Sequence, residues 1–287
     1  MIKERITEIE NQWLKSVYDY NCAQFQQCWL PSHDNTHHFR VWTFIKGILE
    51  QLDREGEKFS KEKIFRLLIA AFFHDIGLTH TLDKSHGRIS REMCEHFFKE
   101  KKLPVWDGHE EMLDAIEFHD DKDYTAKKGS DFENPGSIYN LLTVSDDLDA
   151  FGALGIYRYI EIYTLRKIPV EELAPRILDN LKNRYVHFIN KYGFSEELVQ
   201  MHEKSYNIAV DFFSLLIINN NSDYQTEVKN IVILLINGLV KNKIYYEEFV
   251  DLLDFTGQSK VFQHFFKQFR TEVETSRNNR ELTLKSL

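Results

Sequence analysis

The chain has 287 residues, 43% of them hydrophobic, and a formal net charge of −9. That charge argues against a generic nucleic-acid binder, whose phosphate contacts need a basic surface, and 22 Phe with 13 Tyr argue against disorder. The longest apolar runs, "LLII" at 215–218 and "IVILLI" at 231–236, are far too short to span a bilayer. The three cysteines, Cys22, Cys28 and Cys94, form no CxxC and no disulfide framework, which suits a reducing compartment. The opening "MIKERITEIE" is charged and amphipathic rather than a secretion signal, so a soluble cytoplasmic protein is expected.

Apolar residues recur at helical spacing, and only five prolines and 12 glycines interrupt them. The spacing predicts an all-α bundle with helices at about 2–28, 35–54, 60–75, 86–102, 109–119, 136–149, 153–165, 171–191, 195–219, 225–241 and 245–275. Ser60 and Ser195 read as N-caps, and Pro31 with "PSHDN" as a turn before the second helix. The polar stretch 122–136, "KDYTAKKGSDFENPG", reads as a loop long enough to cover a site. "NNNSDYQT" at 219–226 marks a boundary, giving a helical domain over 1–218 and a C-terminal helical extension over 219–287, packed on the same domain. The tail from Thr275 is expected to fray.

Chemistry concentrates at helix ends. His33, His37 and His38 cluster in "SHDNTHHFRVW", His74-Asp75 end the apolar run "LLIAAFFHDIG", and His86 opens a helix. His119-Asp120 end another helix, and Asp146, Asp147 and Asp149 lie in "LLTVSDDLDAFG". A carboxylate on a core helix is costly unless paired or bound to a cation. Several such groups on separate helices offset one another around a metal ion, and imidazole with carboxylate suits zinc, manganese or iron. Adjacent helical residues diverge by about 100°, so His74 and Asp75 share an ion only in the wedge between them.

These segments resemble the HD superfamily of metal-dependent phosphohydrolases, marked by a His, a His-Asp doublet and a distant Asp. "HDNTHHFRV" is similar to its opening His-Asp-x-x-His-x-x-Arg-Val, which selects His37 where helical periodicity leaves His37 and His38 open. "AAFFHDIG" matches the doublet, and "VSDDLDAFGALGIYR" resembles the final stretch of one bacterial subgroup, placing the last ligand at Asp146. The likeness covers roughly residues 30–165. The doublet continues Ile-Gly-Leu, unlike the cyclic-di-GMP phosphodiesterase variant, and Asp147 stands where the subgroup carries Arg.

The resemblance implies a divalent ion (Mn, Fe, Zn, Co or Mg) on His37, His74, Asp75 and Asp146, with Asp75 and Asp146 as the catalytic carboxylates. In dinuclear members two further histidines hold a second ion and the doublet Asp bridges. His86 and His119 are similar to those positions. It further implies hydrolysis of a nucleotide or other small phosphate ester. Arg40, Lys84, Lys122 and Arg158 are the candidate phosphate contacts, although Arg40 also reads as a structural partner of Asp34. A few relatives use the same ligands in di-iron oxygenases, and a non-catalytic module binding a nucleotide or a protein is the third reading. Residues beyond 166 show no obvious catalytic group and are assigned to interaction, including self-association through the C-terminal helices.

Overall fold

The computed structural model describes residues 1–105, 107–121, 133–217 and 223–287. Among these residues every regular element is helical, as the periodicity predicts. Helix α1 (Ile2–Ile9) passes through a π turn (Glu10–Leu14) into α2 (Lys15–Phe25). Next come α3 (Asn35–Arg54), α4 (Lys61–Phe73), a 3-10 turn (Ile76–Thr79), α5 (His86–Lys101) and α6 (His109–Phe118). Helices α7 (Ile138–Leu148), α8 (Gly152–Leu165), α9 (Val170–Tyr192) and α10 (Glu196–Ile217) follow. The rest is α11 (Asp223–Leu234) with a π segment (Leu235–Val240), α12 (Tyr246–Leu252) and α13 (Lys260–Lys285).

Two helices organise the core. From Leu67 to Phe73 every residue of α4 is buried, and so is every residue of α7. A helix buried on all sides has no solvent face and sits at the centre of its neighbours. Helix α4 packs against α1, α2, α3, α5, α6 and α7. Its start is fixed by the Ser60 hydroxyl, which accepts from the Lys63 amide, and that of α7 by Ser137, which accepts from Asn140. Asp34 caps α3 by accepting from the Thr36 amide and hydroxyl.

The C-terminal part departs from the sequence reading in two places. The single helix predicted over 245–275 is two, because the Asp254 carboxylate accepts from the Thr256 amide and hydroxyl and Gly257 takes a φ of 72°. The tail is helical to Lys285 instead of frayed. Arg277 pairs with Asp251 at 2.8 Å and Arg280 with Glu247 at 2.9 Å, tying α13 to α12. Helix α13 also packs on α3 and α8. Tyr246, at the start of α12, is buried, and its hydroxyl accepts from Arg40 Nη1 at 3.0 Å and lies 2.7 Å from Thr36 Oγ1. Among the described residues no helix is long and apolar enough to cross a membrane.

Candidate metal centre

The C-terminal ends of α4, α6 and α7 converge, and their carbonyl dipoles make that point favourable for positive charge. His74 ends α4 in helical geometry, whereas Asp75 turns out of the helix at φ −105° and ψ 5°. The turn brings both side chains to one space, with Asp75 Oδ2 3.5 Å from His74 Nε2. His37, from the first turn of α3, sets its Nε2 3.0 Å from that of His74, 3.4 Å from Asp75 Oδ2 and 3.6 Å from Asp146 Oδ1. His37, His74, Asp75 and Asp146 thus present ligand atoms within 4.8 Å of one another, all buried.

Asp75 Oδ1 faces a second pair. It lies 2.9 Å from His119 Nε2 and 3.3 Å from His86 Nε2, and the two imidazole nitrogens are 3.4 Å apart. One carboxylate therefore contributes a different oxygen to each donor set. This approach depends on two glycines. A Cβ on Gly77 would stand 2.1 Å from the His86 carbonyl oxygen, and one on Gly87 2.2 Å from that of Glu117. Without side chains at these positions, the start of α5 reaches both the 3-10 turn and α6.

The outer nitrogens define the tautomers. His74 Nδ1–H donates to the Ala71 carbonyl at 3.0 Å, His86 to Asp83 at 2.7 Å and His119 to Ile116 at 2.7 Å. His37 Nδ1–H donates to Asp149 Oδ2 at 2.7 Å. Each Nε2 then faces inward and offers a lone pair once the ring is neutral, as in metal-binding histidines oriented by an outer partner. Clustered lone pairs and carboxylate oxygens are the donor set a divalent cation satisfies.

Asp149 is a neighbour of this set rather than a member. It accepts from Arg40 Nε at 2.7 Å and Nη2 at 2.9 Å, and pairs with Arg158 Nη1 at 3.0 Å. Burial pushes its carboxyl up, but the Arg40 and Arg158 charges outweigh that and hold it well below the usual carboxylate range. Burial lowers the His74 imidazole to about 3. Burial also acts downward on His86, but the hydrogen bond and charge of Asp75 carry it up to about 9.

The two sets open on a cavity of about 80 Å³ lined by Asp75, Asp120 and Asp146 and by Arg158, Arg166 and Arg184. The other sequence candidates fall as follows. Arg158 reaches the cavity, with Nη2 3.5 Å from Asp146 Oδ1. Lys84 lines an adjoining outer basin. Arg40 is not brought to the cavity and pairs with Asp149 in place of Asp34, which is occupied in capping α3. Lys122 lies outside the described residues. His38 turns away, its Nδ1 accepting from Asn21 Nδ2 at 3.2 Å.

Sequence reasoning missed His33, Asn180 and Arg184, all of which line the cavity. Two of them lie in the region beyond 166 that shows no catalytic group in the sequence. Arg184 Nη1 is 2.8 Å from Asp147 Oδ1 and 3.3 Å from Asp146 Oδ2. Asp147, where the subgroup pattern has Arg, is thus the buried partner of a cation arriving from α9.

No curated protein and no solved structure matches the chain. A family model described as HD domain matches residues 35–154, a span containing His37, His74, Asp75, His86, His119 and Asp146. The match and the buried His and Asp cluster agree, so residues 35–154 carry the HD-domain pattern.

Proposed function

We propose that the protein is a metal-dependent phosphohydrolase acting on a small phosphate ester, a nucleotide being the default class. HD domains are mostly metal-dependent hydrolases. The observation that carries the reading is the cavity lining. Its three carboxylates and three guanidiniums balance, so any divalent cation held by the histidines leaves the space net positive and suited to a phosphate. His37, His74, Asp75 and Asp146 would hold one ion, and Asp75, His86 and His119 a second. Such an ion supplies Lewis-acid polarisation of a phosphoryl oxygen and makes water acidic enough to attack near neutral pH.

The chain's own groups do the rest. Asp75 and Asp146 orient the attacking water and take its proton on a carboxylate oxygen. Arg158, buried beside Asp146 Oδ1, stabilises the charge growing on the phosphoryl oxygens. Its Nε also donates to the Ser32 carbonyl at 3.0 Å, so it is fixed before substrate arrives. The test is release of phosphate from an aryl phosphate and a nucleotide panel with Mn, Mg, Fe, Co and Zn. Turnover that His74→Ala leaves unchanged would defeat the proposal.

The imidazole shifts give the two donor sets different pH ranges. His86 must shed a proton held up to about pH 9 before it can ligate, whereas His74 is neutral above about pH 3. Apparent affinity at the His86–His119 set should fall as pH drops from 9 to 6, by up to about tenfold per unit. His74 itself adds no such dependence over that range. Metal content after dialysis against a fixed free-ion concentration across that range checks this. His86→Ala should remove the steeper component, and an identical pH profile in wild type and variant would count against it.

A further inference from the structure

We propose that Arg184, Asn180 and Arg166 form a second anion subsite, so that the substrate is a phosphate ester whose leaving portion carries another phosphate. This rests on the phosphohydrolase reading and specifies its substrate. The inner cavity, about 80 Å³, takes a phosphate and little more. The remainder of any substrate must pass outward. The inner cavity shares Asp120, Tyr163, Arg166 and Asn180 with an outer basin of about 640 Å³, so those residues form the neck between them.

Arg166 at the neck and Arg184, beside Asn180 on the inner-cavity side, are both held in place. The Arg184 side chain is 11% exposed, and its Nε donates to Asn180 Oδ1 at 2.7 Å while Nη1 meets Asp146 and Asp147. Its guanidinium lies 5.9 Å from the Tyr159 ring centroid, and Tyr159 donates its hydroxyl to the same Asn180 oxygen at 2.8 Å. Arg166 is held at the rim by donating from Nε to the Leu82 carbonyl at 2.9 Å. A planar fork fixed on several sides is pre-organised for a phosphate, since little freedom remains to be lost on binding.

Farther out the balance changes. Apart from the neck residues the basin carries Glu117, Asp121 and Asp179 against Lys84, and its Arg176 is paired with Glu172. Those carboxylates disfavour an anion in the basin and place the second phosphate at the neck. The bland alternative is that Arg184 only neutralises Asp146 and Asp147.

The two readings separate in binding, without turnover. The full chain loaded with manganese is titrated calorimetrically with 1,3-propanediol phosphate and 1,3-propanediol bisphosphate, whose flexible body adapts to the spacing. Wild type should bind the bisphosphate at least about tenfold more tightly. Arg184→Ala should weaken the bisphosphate more than the monophosphate and so remove most of that preference, and Arg184→Lys should keep part of it. Arg166→Ala, at an exposed position, should reduce the preference, and it decides the matter if Arg184→Ala does not fold. No preference in wild type, or equal weakening of both ligands by these variants, overturns the subsite. Preference without hydrolysis of any phosphate ester would leave the subsite standing and remove the phosphohydrolase reading. Hydrolysis without preference would do the reverse.

Discussion

Asp75→Asn is expected to strip metal from both donor sets at once. Asp75 Oδ2 serves His37 and His74, and Oδ1 serves His86 and His119, so no other side chain belongs to both groups. Asparagine keeps the shape but replaces one acceptor oxygen with an NH2 donor and removes the charge. Elemental analysis should find both ions lost, whereas His86→Ala should cost only the second. Lewis-acid stabilisation is worth several kcal/mol and each 1.36 kcal/mol is tenfold, so phosphate release should fall by about 10³-fold or more. An Asp75→Asn protein with the metal content of wild type would refute a shared carboxylate.

Asp149→Ala should give the largest loss of stability. It leaves the buried guanidiniums of Arg40 and Arg158 without their carboxylate and removes the acceptor of His37 Nδ1–H. Breaking a buried ion pair costs about 3–5 kcal/mol. At about 2–4 °C per kcal/mol for a domain of this size class, the melting temperature should drop by on the order of 10 °C. Metal affinity should fall about 10–100-fold, because the ring orientation of His37 is no longer set. The stabilisation also has a pH signature. Since the folded carboxyl is held below its ordinary value, the contribution is complete above about pH 4 and is lost as pH falls through the folded value. Thermal melts of metal-free wild type and variant should therefore stay apart from pH 7 down to about pH 4 and begin to converge below it. A variant that melts with wild type at neutral pH would show that the two guanidiniums and this carboxylate do not depend on one another.

How far the sequence carries depends on whether a residue's meaning is local. Helix positions follow from apolar spacing, and His74-Asp75 stands out because two polar groups end an otherwise apolar helix. His37 could be told from His38 only through the family pattern, since the helix has buried residues on both faces there. Arg184 was not legible. A cation in "NLKNRYVHF" reads like any solvated helix charge, and only the packing of α9 on α7 brings it to Asp146 and Asp147. The Arg40 pairing failed for a related reason. Asp34 is nearer in sequence, but its oxygen is taken by Thr36, and Asp149 arrives from another helix. The break within 245–275 came from an Asp-x-Thr-Gly turn whose flanks are apolar enough to pass for one helix.

Tyr246 hydrogen-bonds Arg40, Arg40 holds Asp149, and Asp149 holds His37. Four residues thus join the last third of the chain to an imidazole near its beginning. A fragment trimmed to 35–154 would lack Tyr246, Arg158 and Arg184 while keeping every proposed ligand. It would retain the pattern by which relatives are recognised and lose the scaffolding that aims it. The unit that holds these side chains in place is larger than the recognisable one.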